Sequence, residues 1–239
     1  MFTEGKMIFN LLSGGGNLLD SLKNIFIYAI ALFTALPFHE FAHAWTANKL
    51  GDPTATYEGR NTLNPFKHLD PLGSICILLT GFGWAKPVPV NSRNFRKVSP
   101  RTGFALTSIA GPIANVIYSF IALILAKITY GIATMVTNTF AFELLSNVFF
   151  VFYVLVTVNI GLAVFNLIPV PPLDGSRILL VILPERTYFK VMQYEQYILI
   201  GFFVLMLTGI LNVPLDFLRN LVFTAEDFIT KPIDLLFKI

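Results

Sequence analysis

The sequence predicts an all-α polytopic membrane protein with about four transmembrane helices and one re-entrant or β-hairpin-like membrane segment. Three observations carry that expectation. Of 239 residues, 55% are hydrophobic and 13% charged, with a mean hydropathy of +0.69, whereas soluble domains carry about 25% charged residues. No charge occurs in 102–126, 144–173 or 196–215, and each run is long enough for a helix across a hydrocarbon core of about 30 Å. A further apolar piece, Leu72 to Ala85, is broken by Gly81 and Gly83 and is too short for a full crossing.

Taken in order, Met1 to Lys23 reads as an interfacial lead-in, because Gly14-Gly15-Gly16 interrupts any helix there. Asn24 to Leu50 is the first hydrophobic segment, with His39, Glu40 and His43 in its second half. Residues 51–101 are rich in turns, with prolines at 53, 65, 71, 87, 89 and 100. Within them Lys86 to Val90 is expected as an extended edge, since proline donates no ladder bond and disfavours helix before it. Thr102 to Ala126, Leu144 to Phe165 and Tyr197 to Val213 supply the remaining spans, and 214–239 suits an amphipathic helix on the bilayer surface. The whole chain, 1–239, is expected to form a single membrane-embedded domain whose core is 24–180.

Basic residues crowd the connection between the first two spans, from Lys49 through Arg60, Lys67, Lys86, Arg93, Arg96 and Lys97 to Arg101, while the next connection offers Lys127 alone. By the positive-inside rule the crowded side is cytoplasmic, which brings His43 and Asp174 to that face. The net charge of +3 is dispersed among membrane segments, so a bilayer and not nucleic acid is the expected partner. The single cysteine, Cys76, excludes an intramolecular disulfide and a Cys-rich metal site.

His39-Glu40-Phe41-Ala42-His43 is an H-E-x-x-H sequence. On a helix its two imidazoles project from one face a turn apart, as two ligands of a tetrahedral Zn²⁺ require, and the glutamate beside the first reaches a water at the metal as general base. Ionisable groups inside a hydrophobic span are functional candidates by default. The alternative is a polar helix end at the interface, at the cost of desolvating three such groups. For the third ligand the residues leave Asp174, His68 and Asp70 open. Asp174 follows thirty uncharged residues and a proline-rich turn; it suits a zinc ligand or an N-cap of the helix after it. Asp70 suits a turn or cap. Asn115 lies in an apolar span, where an amide commonly bonds another helix.

These elements resemble the site-2 protease family of intramembrane zinc metalloproteases. The H-E-x-x-H sequence, Gly111-Pro112-Ile113-Ala114-Asn115 and the Asn166 to Gly175 run ending in Leu173-Asp174-Gly175 occur in that family's order and separation. Asn61 to Pro71 is similar to its compact bacterial and archaeal branch, without room for a PDZ or CBS domain. The resemblance implies one Zn²⁺ per chain held by His39, His43 and Asp174, with Glu40 as general base. It implies Asn166 in substrate or oxyanion contact. Asn115 is expected as a second oxyanion donor, and Asn64, His68 and Lys86 are expected as substrate contacts. It also implies a transmembrane protein substrate, hydrolysed in or near its membrane segment in a prokaryotic cell membrane. Extended stretches at Tyr57 to Leu63 and Lys86 to Asn91 suit either of two roles equally: holding an unwound substrate by strand addition, or forming a membrane-embedded hairpin that covers the site. The competing reading is a catalytically silent zinc-binding scaffold or transporter. Intact Glu40 and the lack of repeated halves weigh against it.

Overall fold

The structure, a computed structural model, describes residues 18–74 and 85–239. In chain order its helices are α1 (Leu18–Leu50), the short α2 (Thr54–Tyr57) and α3 (Pro65–His68), then α4 (Pro100–Met135), α5 (Thr139–Asn166), α6 (Gly175–Ile182), α7 (Glu185–Met192), α8 (Glu195–Thr208) and α9 (Asn212–Phe237). α1, α4 and α5 have the length and hydropathy to cross a bilayer. The segments 186–192 and 195–208, bent by 63° at their junction, provide a fourth crossing if taken as one broken span. The all-α polytopic class expected from composition is therefore observed, with crossings that run longer than their charge-free cores. The hairpin-like membrane piece falls mainly on 75–84 and the lead-in mainly on 1–17, both outside the described residues.

α4 is the central helix and packs against α1, α5, α6 and α9. Its sequence explains that position. Ile113, Ile117, Ile121 and Leu125, spaced by four, are exposed and form one apolar stripe, while Gly111, Ala114, Asn115, Ser119, Ala122 and Ala126 are buried. Small residues on one face let neighbouring backbones approach closely, which is how helices associate where lipid is as apolar as the side chains. Val154, Leu155, Val156, Ile160 and Val164 of α5 meet Ala122 and Leu123 of α4 and Ile27 and Ala31 of α1 in the main core. A smaller cluster of Leu32, Ala35, Leu36 and Leu162 lies on the α1–α5 seam.

The tail expected on the bilayer surface forms α9, whose polar side chains are engaged by α4. Ser119 donates a hydrogen bond to the buried Glu226, and Lys127 pairs with Asp227 at 2.8 Å and Asp234 at 2.6 Å. Its apolar residues Phe217, Leu221, Phe228 and Leu235 face outward.

Tyr57 to Leu63, expected extended, begins in the last residue of α2 and continues as turns. The cause is local: the N–H groups of Tyr57, Glu58, Gly59 and Arg60 bond back to the carbonyls of Pro53, Thr54, Thr56 and Ala55, and Gly59 takes a left-handed φ of 66°. Asp52 ties the start of this region to 91–94. Its fully buried carboxylate accepts from Thr54 N–H at 3.1 Å, Asn91 N–H at 2.6 Å and Asn94 Nδ2 at 3.0 Å, and from the Thr54 hydroxyl. Burial alone would raise its pKa, but these donors outweigh it and hold the group below the ordinary Asp range. They also fasten the end of the 85–91 segment to the end of α1. Because the native pKa is depressed, the stabilisation is complete above the unfolded value of about 4 and is lost as pH falls below it. Asp52→Asn, with one acceptor oxygen for four donors, is expected to cost about 2–3 kcal/mol. Unfolding midpoints in detergent should fall at pH 6, and the drop between pH 6 and pH 3 should be smaller than in wild type.

Candidate metal centre

His39 and His43 sit a turn apart near the end of α1, both buried. Pro37 just before them and Pro112 in α4 are fully buried within their helices, and each removes one backbone donor beside the site. Asp174 arrives from the other end of the chain. Leu167 to Leu173 turn back after α5, and Gly175 fits only because a Cβ there would strike the carbonyls of Leu167 and Ile168. Asp174 occupies the N-cap position of α6, yet its side chain makes no capping bond. Its Oδ2 lies 3.0 Å from His39 Nε2 and 3.3 Å from His43 Nε2, and the two Nε2 atoms are 3.0 Å apart.

The other ring nitrogens show that this is a set of acceptors. His43 Nδ1 is 2.7 Å from the carbonyl of Thr107, to which it donates, and His39 Nδ1 is 2.5 Å from Asn115 Oδ1, to which it also donates. With both rings neutral, the Nε2 lone pairs are turned toward a carboxylate oxygen. Three such acceptors repel one another unless a cation, a metal ion or a proton, sits among them. Ligands at 2.0–2.1 Å in tetrahedral geometry stand about 3.3 Å from one another, so the observed spacing fits Zn²⁺. Donation of the far ring nitrogen to a carbonyl or amide oxygen is the usual outer support of a ligating histidine. Among the described residues this is the one cluster of three His, Cys, Asp or Glu side chains able to hold a metal. Asp174 leaves 21% of its side chain exposed, against 5% and 9% for the histidines, so the centre reaches the protein surface on the carboxylate side.

Glu40 is buried beside His39, and its Oε2 accepts from Val88 N–H at 3.1 Å. The extended Lys86 to Val90 piece thus crosses the site. Arg60 donates to the carbonyls of Lys86 and Pro87, and Lys86 N–H donates to His68 O at 2.7 Å, next to an antiparallel bridge between Leu69 and Ala85. The amides of Lys86 and Val88 and the carbonyls of Lys86 and Pro87, in a segment suited to receiving substrate, are already bonded within the protein.

The remaining candidates separate. Asn166 lies at the end of α5, half-buried, with Nδ2 on Leu162 O at 3.0 Å; its second amide hydrogen is free of that bond. Asn115, expected beside it as an oxyanion donor, is fully buried behind His39, with Nδ2 on Asn159 Oδ1 at 2.7 Å. Asn64 is exposed and caps α3 through Phe66 N–H, and the Lys86 side chain is exposed. His68, expected as a substrate contact, is completely buried. Its Nε2 donates to Thr62 O at 2.6 Å, and burial holds the ring below its ordinary pKa against the opposing pull of that carbonyl. Asp70 accepts from Gly73 N–H at 2.8 Å, a turn role. Three contributors were missed in the sequence: Asn159, the Thr107 carbonyl and the Val88 amide. The first is a polar residue inside a charge-free run and was open to the argument applied to Asn115. The other two are backbone groups, invisible to residue type.

Gly111 provides the room for both rings. A Cβ there would lie 2.5 Å from His43 Nε2 and Cε1 and 2.7 Å from His39 Cε1. Gly111→Ala is therefore expected to displace the imidazoles and lower zinc occupancy of the purified protein by at least about tenfold, while helix content by circular dichroism stays unchanged.

Comparison with known proteins agrees with this geometry. The sequence model of peptidase family M50 matches residues 27–208. The chain is 45% identical over 179 residues to a Bacillus subtilis protein named "Putative zinc metalloprotease YwhC", covering 75% of this chain and 79% of that one. It is 29% identical to proteins named "Putative zinc metalloprotease Rip2" from Mycolicibacterium smegmatis, over 80% of this chain and 71% of that one, and from Mycobacterium tuberculosis, over 79% and 70%. No solved structure matches the chain. With three apolar crossings, a donor set suited to zinc and a family match over three-quarters of its length, the chain belongs to peptidase family M50, the site-2 protease family of membrane zinc metalloproteases.

Proposed function

We propose that this protein hydrolyses peptide bonds in or near transmembrane segments of membrane-protein substrates, at a centre facing the cytoplasm of a prokaryotic cell. His39, His43 and Asp174 hold one zinc ion and Glu40 is the general base. The observation that carries the reading is the triangle of acceptor atoms, 3.0–3.3 Å on a side, beside a glutamate inside a membrane span. When bound, zinc supplies Lewis acidity, which brings the pKa of water toward about 7 and polarises a carbonyl.

The chain's own groups do the rest. Glu40 holds Oε2 against Val88 N–H, which leaves Oε1 to take a proton from the attacking water and deliver it to the departing amide nitrogen. Asn166 uses one amide hydrogen on Leu162 O and offers the other to the oxyanion that develops at the scissile carbonyl, an interaction of the kind worth about 10²–10³ in rate. The exposed edge of Asp174 marks the water entry. The crowd of basic residues from Lys49 to Arg101 supports a cytoplasmic position for that entry. A helical substrate has its carbonyls bonded and must unwind before it reaches the centre. Since the amides of Lys86 and Val88 and the carbonyls of Lys86 and Pro87 are committed internally, the exposed Asn64 and Lys86 side chains are the proposed contacts with the opened segment.

Two variants test the assignment separately. Glu40→Gln should retain about one zinc per chain and cleave a model transmembrane substrate at least about 10²-fold more slowly. His43→Ala should lose the zinc as well. Cleavage by Glu40→Gln at the wild-type rate would remove it as the base; zinc retained by His43→Ala would remove the ligand set.

A further inference from the structure

The ligand set proposed above needs each imidazole to present an unprotonated Nε2. For His43 a backbone carbonyl settles this directly, because Thr107 O can only accept and Nδ1 must therefore hold the proton. His39 has no carbonyl at its Nδ1; it faces an amide group, which can turn either its oxygen or its nitrogen to the ring. We propose that Asn159, one hydrogen bond beyond Asn115, fixes the tautomer of His39 by dictating which way that amide faces.

The chain of reasoning starts at Leu155 O, an acceptor only. Asn159 stands four residues further along α5 and turns Nδ2 back to that carbonyl at 2.8 Å. Its Oδ1 consequently faces α4, where it accepts from Asn115 Nδ2 at 2.7 Å. With its nitrogen so engaged, Asn115 presents Oδ1 to His39 Nδ1 at 2.5 Å. An oxygen there requires a proton on Nδ1, and the neutral ring then carries its lone pair on Nε2. Reversing any one link sets two donors or two acceptors face to face. Asn115 and Asn159 are both 0% exposed, so no bulk water is at hand to accept a misdirected amide. The polarity of a carbonyl in α5 is thus transmitted through α4 to a ring on α1. Asn159 is a positioning residue, and it touches neither the ligand atoms nor the substrate.

The inference rests on the assignment of His39 as a ligand, and zinc alone is the probe that separates the two. Zinc affinity of the full-length protein in detergent would be measured by competition with a chromophoric chelator, alongside the visible spectrum of the Co²⁺-loaded form. Asn159→Leu is expected to weaken zinc about 10- to 100-fold and to change the Co²⁺ bands. In an Asn115→Leu background the same substitution should cost nothing more, because the relay acts only through Asn115. In an Asn115→Asp background its effect should also vanish, since a carboxylate accepts from Nδ1 unaided. A packing role would cost the same in all three backgrounds and would appear as a lower unfolding temperature of the metal-free protein. Where Asn159→Leu fails to fold, Asn159→Thr and Asn159→Val, equal in shape, replace it. The threonine hydroxyl donates to the carbonyl four residues back while accepting from Asn115, so Thr should bind zinc at least about fivefold tighter than Val. Wild-type affinity in Asn159→Leu, equal losses in every background, or equal affinity of Thr and Val would overturn the relay. Zinc absent from the wild type or retained by His39→Ala would overturn the ligand assignment instead.

Discussion

Three electron-pair donors held within 3.3 Å of one another, in a bundle that offers them little water, repel each other. Much of the surrounding architecture makes sense as the means of enforcing that unfavourable meeting. Two donors come from one rigid helix and cannot separate. The third is delivered by a turn whose residue after the ligand has no side chain, which permits close return over the carbonyls of Leu167 and Ile168. The rings are kept from rotating by acceptors behind them and are given space by the bare backbone at Gly111. Preorganisation of this kind moves the cost of assembling the site into folding, where the packed helices supply it.

The membrane is what makes that feasible. α4 turns a stripe of isoleucines outward and small or polar residues inward, the reverse of a soluble helix. Its inward face can therefore carry Asn115 against His39, Ser119 against Glu226 and Lys127 against two aspartates. One helix serves as a spine for the site near its start and for the docking of α9 further along.

What the sequence disclosed follows from the range of the physics involved. Spans were legible because a bilayer demands long charge-free runs, and His39, Glu40 and His43 because helical geometry ties a five-residue pattern to one face. Asp174 was a candidate with two readings on its own residues; the absence of a capping bond and the approach of Oδ2 to both rings are tertiary facts. His68 read as a substrate contact, but residue type says nothing about what folds over it, and it is fully buried. Likewise 57–63 lacked any apolar alternation to counter its turn-formers, and its first amides bond back to the carbonyls of 53–56. Asn115 and Asn159 were each visible as polar residues in apolar runs, yet their pairing depends on the crossing of α4 and α5, which no local pattern specifies.

The separation of the donors along the chain also sets an order of events. Asp174 is made 135 residues after His39, behind the whole of α4 and α5. During synthesis, α1 enters the bilayer carrying two imidazoles and a carboxylate, and the carboxylate that completes the triangle follows only after two more crossings and the turn beyond them have emerged. A partly inserted chain therefore lacks one ligand of the proposed centre. Competence arrives as a late, single event in biogenesis, and nascent helices of the protein itself pass through the membrane before there is a finished protease to meet them.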